Sequence, residues 1–429
     1  MSSQSGLRYR DSSRTPAVLC AMAVLFCVLA VAPIVAAAES DRTPVLTVPA
    51  CDRPLDIGAH LPGDATLEPN RLYLLGETPE GVAVVAQVVS GTTAEGLARA
   101  GGRVLGKVPA GKGGEGVRRF KVAPPTVPMS PPGPGYSLEE VGDTSLKVLE
   151  AGRPVLTYNF GLMTGEQVPE KDHRRTRACY IHPVFGLDGE AITEDFPRDH
   201  YHHHGVFWTW PYIGVGGKVY DLWQGTGMDD RFVAWLARET GPIAAVLGVE
   251  NGWFVGEKKV MIERVWITAF AADEDSQAID VRLVLIPTDQ PVSLQGRGGK
   301  SYGGLTVRFQ NLPRQDVTIT VPSGRTTNDL YVTPLEWVDY TAKYPGREKP
   351  SGATVMIHPE HPDYPPTWLT RHYGPQCVGW PGVKAETFQP GQPIQLDYRL
   401  HVHRGLHEVE EIKAAYAAYV AATKAKFEQ

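Results

Sequence analysis

A chain of 429 residues has room for two or three domains, and its slight acidic excess, 48 Asp and Glu against 42 Lys and Arg, argues against the basic surfaces that bind nucleic acid or anionic membranes. Abundant glycine (45) and proline (36) argue against a helical protein and for an all-β chain with many turns. No nucleophile elbow, Walker loop or dinucleotide fingerprint occurs, which argues against serine-nucleophile hydrolysis and nicotinamide chemistry.

Residues 1–38 read as a signal peptide. Arg8, Arg10 and Arg14 form a basic start, Val18 to Val35 is an apolar core broken only by Pro33, and Ala36-Ala37-Ala38 offers a cleavage site. The apolar run is near the lower limit for a membrane span, so a single anchor is the alternative. The small-residue exit favours cleavage, and with it a secreted or periplasmic protein with no membrane contact. Cys51, Cys179 and Cys377 would remain. Three widely spaced cysteines are no disulfide framework; one bridge is permitted in an oxidising compartment, with no pair favoured.

Residues 39–123 form a small amino-terminal β module in this reading. Leu72–Leu75 and Val82–Val89 are strand-like around a turn at Glu77–Gly81. Val104–Val108 and Val117–Val122 flank a Gly111–Gly116 loop that lacks the phosphate-binding pattern. Pro124, Pro125, Pro128, Pro131, Pro132 and Pro134 make residues 124–135 a stiff linker.

Residues 136–405 hold all nine tryptophans. Strands are expected at Leu146–Leu149, Val155–Tyr158, Cys179–Pro183, Val206–Trp210, Val260–Phe270, Ile279–Ile286, Leu305–Phe309, Val317–Val321, Thr354–His358 and Ile394–His403. A series this long predicts a large antiparallel β-sandwich, two sheets packed face to face. Asp229–Glu239 also admits a short helix. In residues 406–429, apolar positions at Val409, Ile412, Ala415, Tyr416, Tyr419 and Val420 predict an amphipathic helix docked on the sandwich.

The densest chemistry lies in Asp195–Trp210, where His200, His202, His203 and His204 precede Gly205 and an aromatic run. If extended backbone begins by His200, then His200, His202 and His204 share one face, with neighbours about 6.6 Å apart. Imidazole changes charge near neutral pH and is the commonest metal ligand, so the segment reads as an acid–base or metal site. In Val260–Phe270, Glu263 sits among apolar neighbours: a raised pKa useful for proton transfer and a cross-strand ion pair weigh equally. In Lys300–Phe309, Leu305, Val307 and Phe309 face the core and Arg308 the other side, where it meets either a groove or solvent. Thr367–Gly374 gathers Trp368, Arg371, His372 and Tyr373, and Tyr180 with His182 forms a smaller group; aromatic faces beside Arg and His suit a sugar. Asp397, Arg399, His401 and His403 share one face of the last strand, read as a solvated outer face.

Residues 150–405 resemble the bacterial PmoA-like family, largely of unknown function and mostly exported. The resemblance rests on Tyr180-Ile-His-Pro183, Thr193–Gly205, Phe207-Trp208, Tyr220-Asp-Leu-Trp223, Val249–Trp253, Tyr302-Gly-Gly-Leu305 with Arg308, Trp368 with Arg371 and Tyr373-Gly374, and Tyr398–His403, with His204 where the family usually carries arginine. The chain's ending is similar to galactose-mutarotase-like β-sandwich proteins, which implies a super-sandwich fold and sugar chemistry on a concave sheet.

Together these readings predict an exported carbohydrate-active protein, an enzyme that cleaves, eliminates or epimerises a sugar or other small polar substrate. His200, His202 or His203 would act as acid or base with Glu263 as partner. Tyr180, His182, His204, Trp208, Tyr302, Arg308, Trp368, Arg371, His372 and Tyr373 would bind substrate. One alternative is a non-catalytic glycan-binding module relying on Trp208 and Trp368. The other is a divalent metal, an oxidative site, held by His200, His202 and His204.

Overall fold

Alternating apolar and polar runs become sheet wherever two of them can pair, and that decides the architecture here. The computed structural model describes residues 43–428, except positions 64, 70, 79–80, 112–115 and 126–132. The expected signal peptide and the middle of the proline-rich linker lie outside the described residues.

Two nine-stranded antiparallel sheets dominate. The first, the site sheet, runs Thr333–Pro334, Thr367–Thr370, Pro375–Gly379, Gly304–Arg308, Val206–Thr209, Tyr180–Val184, Arg153–Asn159, Ser145–Glu150 and Tyr136–Val141. The second, the back sheet, runs Asp229–Thr240, Ala244–Val255, Lys258–Phe270, Ser276–Pro287, Ile394–Arg404, Ser351–Ile357, Trp337–Ala342, Val317–Val321 and Gly324–Thr326. Their inner faces meet in one core: Trp208, Leu305, Val307 and Phe309 from the site sheet pack with Val249, Val265, Leu283 and Leu400 from the back sheet. Each such fully buried aliphatic side chain contributes about 1.5–3 kcal/mol. The all-β sandwich predicted from composition and strand count is the fold.

The Asp229–Glu239 stretch is not a helix. It is an edge strand paired along its length with Ala244–Val255, and its register slips twice, between Phe232 and Ala234 and between Trp235 and Ala237. Each bulge inserts one residue and breaks the two-residue alternation, which leaves a sequence pattern close to a helical one.

A seven-stranded sheet takes Val45–Pro49, Leu55–His60, Leu72–Thr78, Ala83–Thr92, Ala98–Val108 and Val117–Ala123, and is completed by Lys426–Phe427 from the far end of the chain. The one α-helix among the described residues, Val409–Ala422, presents Ile412, Tyr416 and Tyr419 to Trp337 and Met356 of the back sheet, and Ala418 and Ala422 to the seven-stranded sheet. Glu411 caps its start by accepting from the Glu408 N–H at 2.7 Å. No described helix is long and apolar enough to cross a membrane.

The face carrying Asp397, Arg399, His401 and His403 is not solvated. Arg399 donates twice to Asp280 (2.6 and 2.9 Å) and reaches the Asp56 carbonyl of the seven-stranded sheet. His403 is fully buried against Asp339, 2.8 Å away. An outer face of charged residues can be covered here because Asp397, Arg399 and His403 have each found a partner of opposite charge.

Candidate functional site on the outer face of the site sheet

The histidine segment folds as a pinched loop, not as the expected strand. Gly205 N–H donates to Glu194 and Phe196 N–H to His203, so the two ends of the loop pair. Successive turns, His200 onto Pro197 and His203 onto His200, carry the chain between them. The strand begins only at Val206. Pairing so tight needs a glycine at position 205, where φ is +34° and a Cβ would lie 2.1 Å from the Ile181 carbonyl oxygen. Gly205→Ala is therefore expected to lower stability by about 2 kcal/mol in urea unfolding; an unchanged midpoint would contradict this account of the loop.

The turns send the rings in directions a pleat would not. His200, His202 and His203 converge: His200 stacks on His203 (centroids 4.7 Å apart), and His202 meets His203 edge-on at 4.7 Å and His200 at 5.6 Å. His204 turns the other way. It is buried, and its Nδ1 lies 2.8 Å from Asp195, whose second oxygen accepts the Tyr180 hydroxyl at 2.6 Å. His200, His202 and His204 thus do not form a metal set, and no described group of three or more His, Cys, Asp or Glu side chains is arranged to hold a metal ion.

Around the three converged rings lies an aromatic belt. Tyr373 stacks on the free side of His200 at 5.4 Å. Trp223 contacts His202 and His203, and Tyr302 lies against Trp223 at 4.6 Å. Phe207, Leu369 and Cys377 form the apolar floor beneath Trp223. Strand alternation explains why these residues share a face: their neighbours Trp208, Trp368 and Val378 point into the inter-sheet core.

Arg308 anchors the charged half of the site. Fully buried, it donates to Glu194 Oε2 (3.0 and 3.2 Å) and to Asp199 Oδ1 and Oδ2 (2.9 and 3.2 Å), with its guanidinium 5.3 Å over the Tyr373 ring. Asp199 in turn meets His200 Nδ1 at 3.0 Å. Burial opposes ionisation of Asp199, but the His200 hydrogen bond and the Arg308 charge outweigh it and hold the carboxyl below its usual range. His202 is driven down to about 3 by burial first and by the neighbouring His200 second, so its ring stays neutral. His203 is lowered well below its ordinary value as well, by burial and then His202.

Other expected site residues stand apart from this cluster. Glu263 is buried between the sheets, accepting from Asn251 Nδ2 (2.9 Å) and Trp253 Nε1 (2.7 Å), and makes no hydrogen bond to a histidine. Trp208 and Trp368 are core residues, Trp368 donating to the Leu335 carbonyl at 2.8 Å, and neither offers a ring face to a ligand. His372 spends both ring nitrogens, on Asp329 (2.8 Å) and the Thr326 carbonyl (3.1 Å), which makes it a loop fastener. Arg371 packs over Tyr331 and near Asp329. His182 is tied to Thr193 at 3.0 Å. Tyr302, Arg308 and Tyr373 do join the three histidines. Sequence reasoning counted Asp199 beside the histidines without giving it a role, and passed over Glu194 and Trp223 as site residues, although all three lie in the motifs above. Asp329 has no local signal at all, because its role exists only through the loop it ties down.

Gln167, Glu194, Asp195, Asp199 and Asn311 line a cavity of about 440 Å³ on the outside of the histidine loop. The fold and this cluster define an all-β sandwich protein with a histidine- and aromatic-rich site on the outer face of one sheet. Residues 145–417 match the model of a family of unknown function, DUF6807, and the chain belongs to that family. No curated protein matches. Among solved structures, a galactose mutarotase related enzyme from Lactobacillus acidophilus is similar at 9% identity, with a TM-score of 0.29, over 64% of this chain and 99% of that one.

Proposed function

We propose that this outer face binds a sugar or sugar-like polyol and that His200 serves it as an acid–base group. The observation that carries this reading is the Asp199–His200 pair. A carboxylate 3.0 Å from Nδ1 favours the tautomer protonated there and leaves Nε2 as the free lone pair; no described residue hydrogen-bonds to Nε2. The carboxylate is itself fixed by Arg308, so the base is oriented before substrate arrives. A base so placed can take a proton from an activated C–H and return it, the step with which elimination and epimerisation begin; in hydrolytic cleavage the same ring would take the proton of the attacking water or, when protonated, give one to the leaving oxygen. The half-buried ring of Tyr302 offers a face to the C–H side of a sugar, and Glu194 and Asp199 offer acceptors to its hydroxyls. We place this activity outside the cytoplasm on the order of basic, apolar and small residues in 1–38, and among PmoA-like proteins on the motifs quoted above.

A panel of neutral and acidic oligosaccharides, followed by chromatography and NMR, tests the reading. Wild type should convert at least one of them, and His200→Asn should lower that rate about 10²–10⁴-fold with the fold intact. Equal rates for both proteins, or no conversion of any substrate by wild type, would sink it. Saturable binding without turnover that survives His200→Asn but not Tyr302→Ala would assign the belt to recognition alone.

A further inference from the structure

The second polar concentration lies where the seven-stranded sheet covers the back sheet. The Leu55–His60 strand turns Leu55, Ile57 and Ala59 into its own core, which leaves Asp56, Gly58 and His60 on the side of the back sheet. They face Thr268, Asp280, Arg282, Asp397 and Arg399 across a cavity of about 300 Å³ that also touches Tyr419 of the helix.

Most charges here are paired. Arg282 donates to Asp397 at 2.6 Å, Arg399 to Asp280 at 2.6 and 2.9 Å, and Lys107 lies 3.1 Å from Asp56. Arg103 is the exception. Its one hydrogen bond among the described residues goes to the Thr268 hydroxyl at 3.2 Å, and its buried Nε has no partner. The space it occupies is made for it: a Cβ on Gly58 would stand 2.2 Å from Arg103 Nη2. A half-buried guanidinium with no carboxylate hydrogen-bonded to it is costly, and its planar fork of donors matches a carboxylate or a phosphate.

We propose that this cavity is a binding site for a small oxyanion, a carboxylate or phosphate group on a small polar molecule, with the Arg103 guanidinium as its principal donor. The electrostatics agree. Burial first, then the Arg282 charge, bring Arg103 down to about 10 against the opposing pull of Asp280 and Asp397, a desolvation that a bound anion would relieve. The lining residues come from the seven-stranded sheet, the back sheet and the helix, so a bound anion would also fasten these three together. This site does not depend on the reading of the histidine cluster.

Titration calorimetry and thermal unfolding of the full chain with inorganic phosphate, glucuronate and uncharged glucose, at matched ionic strength, test it. At least one anion should bind saturably and raise Tm, and glucose should not. Phosphate alone would mark a phosphorylated ligand, and glucuronate alone an acid sugar. Arg103→Gln and Gly58→Ala, the second of which displaces the guanidinium without removing it, should each weaken binding about 10- to 100-fold, as expected for loss of charge-assisted hydrogen bonds. Arg238→Gln, which removes a surface charge elsewhere, should not. Without anion, Arg103→Gln should melt at or above wild type, since it removes a half-buried charge that no carboxylate pairs. No response of wild type to either anion beyond that to matched chloride, or an undiminished response in both Arg103→Gln and Gly58→Ala, would overturn the proposal.

Discussion

Replacing Arg308 by methionine should cost the folded protein about 3 kcal/mol and remove whatever turnover the histidine cluster supports. The side chain is fully buried and binds two carboxylates at once. Removing one partner of a buried ion pair costs about 3–5 kcal/mol; the lower end applies because Glu194 and Asp199 are about one-third exposed and can turn to water. The functional loss follows by a different route. Without Arg308, Asp199 is free to leave His200 Nδ1, and the ring beneath Tyr373 loses its orientation. Arg308→Lys separates the two effects. A single ammonium cannot hold both carboxylates in the geometry of the fork, so it should recover part of the stability and little of the activity. Urea unfolding and a rate assay on the same preparations check both claims. Full activity in Arg308→Lys would show that the orientation of Asp199 is irrelevant.

What could be read from sequence divides along a physical line. Strand identity was legible wherever alternation was undisturbed: in Lys300–Phe309 it separated Leu305, Val307 and Phe309, which enter the core, from Arg308, which does not. It failed in Asp229–Thr240, where two bulges shift the pattern. Loop geometry was not legible either, since hydrogen bonds between Glu194–Phe196 and His203–Gly205 decide where four imidazoles point. Aromatic residues were the least transparent. Trp208 and Trp368 look like a sugar platform in sequence and are core, whereas Trp223 and Tyr302 form part of the belt. The same ambiguity applied to Asp397 and Arg399, because a charged face is solvated or covered according to what another segment brings to it.

Glu263 leads to the second large effect, in stability and not in catalysis. Its carboxyl is wholly enclosed, and burial first, then the Asp230 charge, push it up from the ordinary carboxylate range to about 7, against the pull of the donors from Asn251 and Trp253. The folded chain therefore holds this proton more tightly than the unfolded chain does. Stability from this group is complete below the unfolded value of about 4.5 and is lost as pH rises through about 7. The span corresponds to about 3 kcal/mol at 1.36 kcal/mol per unit. Glu263→Gln cannot titrate. It opposes its amide N–H to one of the two donors, a penalty of about 1–3 kcal/mol that is the same at every pH. Relative to wild type, the glutamine protein should thus gain about 3 kcal/mol between pH 4.5 and pH 8. The subtraction cancels the carboxylates whose folded values are lowered, such as Asp199 and Asp339, which titrate alike in both proteins. Urea midpoints at several pH values supply the measurement, and a difference flat across that range would refute it. Turnover at the histidine cluster should change less than about tenfold, well short of the loss of an acid–base group, because among the described residues Glu263 hydrogen-bonds only to Asn251 and Trp253 between the sheets. A larger loss in a folded Glu263→Gln protein would return that carboxyl to the chemistry.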